Sequence, residues 1–306
     1  MKTELLVLPD DGMAAIVHAI RTARESVRVT IFRSDLPEVE KALGDSVRRG
    51  VRVHALIAHV AREGGKLLRK LELRLLGEGV TVSRTADDLL RYHDKMLIVD
   101  ERALYVLGFN FTRLDGRSRS MGLVTERTEL VAEAVRLFEA DALRQPFEPA
   151  TDSLLVSPAN ARVQLAELLR SAERNLWIYD PRLLDRQMLS ILHERAGAGV
   201  DVRVIGRTSA AGARLPVATL PTRLHLRAAL VDEARLFLGS QSLRVAELDR
   251  RREVGVVTDD GDAIGRYAEL FRADWKSAER AKSEVVAESL PDEPAPDEAP
   301  VAEAAP

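Results

Sequence analysis

Apolar residues along this chain fall into short runs separated by amphipathic stretches, in a recurring order. VRVTIF, VRVHALIAHV and KMLIVD are apolar runs of the kind found in strands covered on both faces. MAAIVHAIRTARES and LPEVEKALGDSVRRG carry apolar positions at helical spacing and end at small or polar stops. MLIV and ALYVL, joined by the polar DER, read as a buried β-hairpin. The predicted order is strand, helix, strand, helix, strand, the hairpin, another strand and a last helix.

That order occurs twice, because the chain is a duplication. LLVLP at 5–9 recurs as LLVSP at 154–158, an offset of 149. At the same offset IRTARESVRVTIF (20–32) matches LRSAERNLWIYDP (169–181). Later the offset falls to 132, where HDKMLIVDE (93–101) matches HLRAALVDE (225–233), and then becomes 133 for MGLVT and VGVVT. The shortfall of 17 corresponds roughly to REGGKLLRKLELRLLGEG (62–79), an amphipathic helical stretch. Repeat two has TSAAGARLPVATLP there, too short and too broken by Gly and Pro for that helix. The expectation is an α/β layer architecture made twice, with repeats at 1–148 and 149–280 and a polar seam at RQPFEPATD (144–152).

Composition refines this. The 306 residues are 46% hydrophobic and 30% charged, globular values that leave room for a sizeable core. There is no cysteine, which excludes disulfides and thiolate metal sites. MKTELLVLPDDG lacks a signal-peptide core and no stretch is apolar enough for a transmembrane segment, so the expected location is cytoplasmic. Residues 281–306 form an acidic, Pro/Ala-rich tail expected to be disordered. From Ser283 onward the tail holds seven acids and no base, so the net charge of −3 becomes +4 for residues 1–282. A mildly basic body permits an anionic substrate without requiring one.

The candidate chemistry lies in the matched hairpins. His93, Lys95 and Asp100 form H-x-K-x4-D, and His225, Arg227 and Asp232 form H-x-R-x4-D. One such motif is weak; two at matching places in two copies of one unit are much stronger. With this pair the chain resembles the phospholipase D superfamily, whose mark is a duplicated HKD motif. The resemblance covers nearly all of residues 1–280. It implies two tandem repeats, each a mixed, mostly parallel sheet flanked by helices, packed with pseudo-twofold symmetry around one site. It also implies that one His attacks phosphorus and becomes phosphorylated, while the other protonates the leaving alcohol and then activates the acceptor. No metal or cofactor is implied. Both motifs lie in one chain, so a monomer is expected. The chemistry suits the residues: a neutral imidazole attacks an anionic phosphodiester without charge repulsion, and a second imidazole exchanges protons near neutral pH.

Carried over by residue, the first half matches at His93, Lys95, Asp100 and Asn110, with Gly108 where a Ser is usual. The second matches at His225, Asp232 and Gly239-Ser240, with Arg227 for Lys and Ser242 for Asn. Glu253 matches a carboxylate that orients the imidazole of the opposite repeat, so it is expected to hold His93. Its counterpart is Ser120, which leaves His225 without a partner in this reading. His93 is therefore the expected nucleophile and His225 the acid/base. The two motif aspartates are expected to brace the turn after the strand. Arg113, Arg117, Arg119, Arg244, Arg250, Arg251 and Arg252 stand near the expected cleft mouth, where they either draw in an anion or simply reflect an Arg-rich chain. His18, His54, His59 and His193 lack motif context, and Trp177 and Trp275 read as packing residues.

Three functions follow from this pattern. The first is a phosphodiesterase or phosphatidyltransferase acting on phospholipid, resembling cardiolipin synthases and phospholipases D, with peripheral membrane contact. The second is a nuclease of the same superfamily, against which stand the modest charge and the 4% of aromatics. The third is an inactive phosphate-binding module, suggested by Arg227, Ser242 and Ser120.

Overall fold

The structure, a computed structural model, describes residues 3–59 and 65–278. The acidic tail and the start of the predicted 62–79 helix lie outside the described residues.

The first repeat holds strands β1 (Thr3–Leu8), β2 (Ser26–Ile31), β3 (Arg52–Ile57), β4 (Thr81–Arg84), β5 (Arg91–Tyr92), β6 (Met96–Val99), β7 (Ala103–Leu107) and β8 (Ser120–Thr125). Its helices are α1 (Ala14–Thr22), α2 (Pro37–Arg48), α3 (Gly65–Gly77) and α4 (Thr128–Leu143). The second repeat holds β9 (Leu154–Ser157), β10 (Asn175–Leu183), β11 (Asp201–Thr208), β12 (Val217–Ala218), β13 (Arg227–Val231), β14 (Arg235–Gly239) and β15 (Arg251–Thr258). Helices α5 (Ala161–Arg170), α6 (Arg186–Gly197) and α7 (Gly261–Ser277) complete it. Helix α3 has no α-helical counterpart; a 3-10 turn at Ala210–Gly212 stands in its place, before the short edge strand β12 that corresponds to β4.

Each repeat builds a mixed sheet. The first has the order β1-β8-β7-β6-β2-β3-β4, and the second runs β12-β11-β10-β13-β14-β15-β5, with β9 also on β15. In the first sheet β2, β3 and β4 are parallel, as the intervening helices require, and the β6–β7 hairpin is antiparallel. Only β6 and β8 are reversed against the other five strands. Period-two alternation sorts the side chains: Val27, Val29 and Ile31 of β2 face α1 and α2, and Met96 and Ile98 of β6 face the other way. Pro37 opens α2, where a missing N–H costs nothing, and Val39, Ala42 and Leu43 form its buried stripe.

Three large apolar cores stack through the molecule. One lies between the first sheet and α1, α2 and α3, and one between the second sheet and α5 and α6. The third joins the two repeats. It packs Leu130, Leu137 and Phe138 of α4 and Tyr267 and Phe271 of α7 against the inner faces of both sheets. Trp177 and Trp275 both stack on Phe271 in this layer, as packing residues. Burying side chains of this size contributes roughly 1.5–3 kcal/mol each. The shared layer therefore holds the two hairpins in a fixed relation.

Candidate active site

Each motif is docked by backbone pairing onto the other repeat. Strand β5, just before His93, adds in parallel to β15 of the second sheet, and the His93 N–H donates to the Arg252 carbonyl at 2.8 Å. Reciprocally, Leu224 bridges to Arg119, and the His225 N–H donates to the Arg119 carbonyl at 2.9 Å. The exchange repeats the pseudo-twofold relation at the two histidines.

Around His93 the arrangement is compact. Nδ1 lies 3.0 and 3.1 Å from the two carboxylate oxygens of Glu253 on β15. The Lys95 ammonium lies 3.1 Å from Nε2 and 3.2 Å from Nδ1, and donates to the His93 carbonyl at 2.6 Å. Glu253 is wholly buried, and that burial raises its carboxyl above the ordinary range, with Lys95 and Arg251 pulling it back. The Ser240 hydroxyl also bonds Glu253 and accepts from the Val254 N–H at 3.1 Å. Phe32 packs edge-on against the His93 ring, centroids 4.6 Å apart.

His225 has a partner that the sequence reading did not assign. Its Nδ1 lies 2.6 Å from Oδ1 of Asp115, in a 3-10 turn (Asp115–Arg117) of the first repeat. The expectation that His225 lacks a carboxylate is thus corrected. The acid comes from the loop before β8 rather than from the strand position held by Ser120. Ser120 instead donates its hydroxyl to the His225 carbonyl at 2.5 Å. Asp115 is fixed in turn by the Asn110 N–H, the Thr112 hydroxyl and Arg223, at 3.0, 2.8 and 3.0 Å. Burial would raise its carboxyl, but His225 and Arg223 outweigh that and hold it well below the usual range. The missed signal was Thr112-x-x-Asp115, a capping-box spacing that opens a helical turn.

The second-half substitutions touch each other. Arg227 Nε donates to the Ser242 hydroxyl at 3.2 Å, so the longer residue meets the shorter one. Both also act on Asp180, a fully buried residue within β10, which burial raises to about 6. Asp180 accepts from the Leu243 N–H at 2.6 Å and the Arg182 N–H at 2.7 Å. Its counterpart in the first repeat is Ile31, so this acid belongs to the Arg227 half alone. Asn110 is buried nearby in the chain, and its Oδ1 has no hydrogen-bond partner among the described residues.

Asp100 and Asp232 stand apart from the histidines and brace the turns that follow their strands. The strands β6 and β13 carry the chain away from the histidines, and at ~3.3 Å per residue Asp100 ends roughly 15 Å from Lys95. Both aspartates begin tight hairpin turns, with φ of 53° and 55° followed by Glu101 at 51° and Glu233 at 52°. Asp100 accepts the N–H groups of Arg24, Glu25 and Ser26; Asp232 accepts those of Glu173, Arg174 and Asn175. They tie each hairpin to the preceding helix–strand junction.

Several loop arginines are engaged internally. Arg119 pairs with Asp10 and Asp274, Arg244 and Arg251 with Glu247, and Arg252 with Asp141. Arg113, Arg117 and Arg250 are exposed. Behind His93, burial raises Asp141 to about 7 and Asp94 to about 6, with Arg252 opposing both shifts.

The site is closed. His93, His225, Lys95 and Arg227 are each no more than 4% exposed. A cleft of about 490 Å³ lies elsewhere, lined by Arg127, Asp152, Gln164, Glu167 and Arg235. Among the described residues no three His, Asp or Glu side chains group as a metal site, and no helix is long and apolar enough to cross a membrane.

Comparisons with known proteins follow the same lines. The family described as cardiolipin synthase, PLD-like domain (PLD, phospholipase D), matches residues 16–142 and 165–275. No curated protein sequence matches the chain at a significant level. Among solved structures, a polyphosphate kinase from Porphyromonas gingivalis superposes with a TM-score of 0.77 at 18% identity. That match covers 93% of this chain, which spans about half (49%) of the kinase. A phosphatidylserine synthase from Haemophilus influenzae Rd KW20 superposes with a TM-score of 0.70 at 13% identity, covering 92% of this chain and 88% of the synthase. These likenesses are of fold. The family match spans most of both repeats, and the chain belongs to the cardiolipin synthase PLD-like domain family of the phospholipase D superfamily.

Proposed function

We propose that the protein is a phosphodiesterase or phosphatidyltransferase that works through a phosphohistidine, with phospholipid as its substrate class. The observation that carries this reading is the reciprocal pairing of His93 with Glu253 and His225 with Asp115, each across the repeat boundary. A carboxylate on Nδ1 fixes the ring and leaves Nε2 as the reacting nitrogen.

In this reading His93 is the nucleophile. Its supporting acid, Glu253, is raised by burial, which suits an imidazole that must be neutral when it attacks. Lys95, 3.1 Å from Nε2, is placed to meet a nonbridging phosphoryl oxygen. His225 is the acid/base: its partner Asp115 stays ionised, which suits an imidazole that must carry a proton to the leaving alcohol. Arg227, aligned by Ser242 and adjoining Asp180, takes the role of the second phosphate cation. Asn110 offers an amide to the same group.

Nuclease activity is the second reading. The internal ion pairs of Arg119, Arg244, Arg251 and Arg252 disfavour it, because a nucleic-acid track needs cations facing outward. The inactive-module reading is disfavoured by the complete set of supports around both histidines. Repeats at 1–148 and 149–280, a cytoplasmic monomer and peripheral membrane contact remain part of the proposal. The test is incubation with labelled phospholipid and with single-stranded DNA in EDTA, wild type beside His93→Ala. Turnover of the lipid, abolished by the substitution, is expected; turnover of DNA alone would install the nuclease reading, and no turnover of either the inactive one.

A further inference from the structure

One small apolar cluster stands apart from the three cores. Phe32, Ala58 and Tyr92 are buried together, with Ala86 and Leu89 packed against them. Phe32 follows β2, Ala58 follows β3, and Ala86 and Leu89 belong to the segment after β4. The cluster therefore sits at the strand ends that meet His93. Phe32 touches the His93 ring directly, and Arg33, Arg91 and Lys95 place their cations 5.5, 5.3 and 5.7 Å from its centroid.

The segment Ala86–Leu90 has no helix or strand structure. It is pinned by the Tyr92 hydroxyl on Asp88 at 2.8 Å and by the Leu90 N–H on the Arg250 carbonyl at 2.9 Å. In the second repeat the position of Phe32 is Pro181, so an aromatic ring covers one motif and not the other. With His93 only 1% exposed, water has no open route to it.

We infer that Phe32 and the segment Ala86–Leu90 form a cap over His93 that opens for substrate and keeps water from the covalent intermediate, so that the phosphoryl group passes to an organic hydroxyl in preference to water. The inference rests on the phosphohistidine reading for its second half. In that step the alcohol oxygen forms the new O–P bond and the P–N bond breaks. Its electron pair returns to the His93 ring, and the alcohol proton goes to His225. An apolar cap excludes water from a reactive intermediate while a lid segment remains able to move.

Two measurements test the two halves separately. Diethylpyrocarbonate labelling, read residue by residue by mass spectrometry, reports access to His93, with exposed His18 as internal control. Phe32→Ala, and separately the loop variant Leu89→Ala, are expected to label at His93 at least tenfold faster than wild type, with His18 unchanged. Equal rates at His93 in both variants would overturn the cap. The second measurement is the ratio of transfer to hydrolysis with labelled phospholipid and glycerol as acceptor. Wild type is expected to favour transfer, and Phe32→Ala to move the ratio at least tenfold toward hydrolysis. An unchanged ratio would overturn the water-exclusion half. Absence of any wild-type turnover would overturn the phosphohistidine reading and that half with it, while the labelling still decides the cap.

Discussion

Asp115 Oδ1 lies 2.6 Å from Nδ1 of His225, so a loop of the first repeat orients the imidazole of the second. Glu253 does the converse for His93 from 3.0 Å. The two acids occupy unlike positions, one in a 3-10 turn and one on a strand. The pseudo-symmetry is thus kept at the histidines by different means.

Asp115→Asn should therefore lower kcat by about two orders of magnitude or more, with KM changed much less, because an amide no longer fixes the ring as the carboxylate does. Ser120→Ala, which removes a bond to the His225 backbone, should cost less than tenfold. The depressed Asp115 carboxyl also contributes stability that is present above the ordinary carboxylate range of about pH 4 and lost as pH falls through its lower folded value. Thermal melts should show the Asn variant less stable than wild type at pH 7, with the difference shrinking in acid.

Arg227 and Ser242 should behave as a coupled pair. Arg227→Lys restores the usual motif residue yet loses the Nε contact to Ser242 and alters the surroundings of buried Asp180. The single variant should lose about tenfold in kcat/KM, and Arg227→Lys with Ser242→Asn should recover much of it. A double-mutant cycle checks this; strict additivity would show the two positions to be independent.

Asp100 and Asp232 should matter to stability and not to chemistry. Each accepts several backbone N–H groups that an Ala would leave unpaired, at a cost of roughly 1–3 kcal/mol. Denaturant melts should show this loss for Asp100→Ala, while kcat of the folded fraction stays within about threefold of wild type.

The raised carboxyl of Asp141 sets a pH dependence of opposite sign. Its folded value of about 7 exceeds the unfolded one, so between pH 4 and 7 the folded state binds the extra proton. Its contribution to stability is present at low pH and lost as pH rises through about 7. Wild type should gain about 1 kcal/mol in stability from pH 8 to pH 6 on this account. In Asp141→Asn that gain should be largely absent in melts at the two pH values.

Much of this was legible in the chain. The offset repeats and the alternation of strand-length and helical runs disclosed the doubled α/β architecture. His93, Lys95, His225 and Glu253 were legible because each sits at a repeat-matched place on a strand or just before one. Asp115 was not, because a loop can carry an acid to an imidazole from a place that strand-to-strand matching does not reach. Asp180 was hidden for a related reason: a lone acid within a strand shows its use only once the fold sets Arg227 beside it. Period two placed His93 and Lys95 on one side, but their closeness to Glu253 depends on β15 arriving from the other repeat.

The central claim is a covalent phosphoryl group on His93, and trapping it is the direct test. Enzyme quenched in alkali during turnover of labelled phospholipid should carry label on His93, located by peptide mass spectrometry. The label should accumulate in a His225→Ala protein and be absent from His93→Ala. Label on His225 instead, or a labelled intermediate that persists in His93→Ala, would contradict the account.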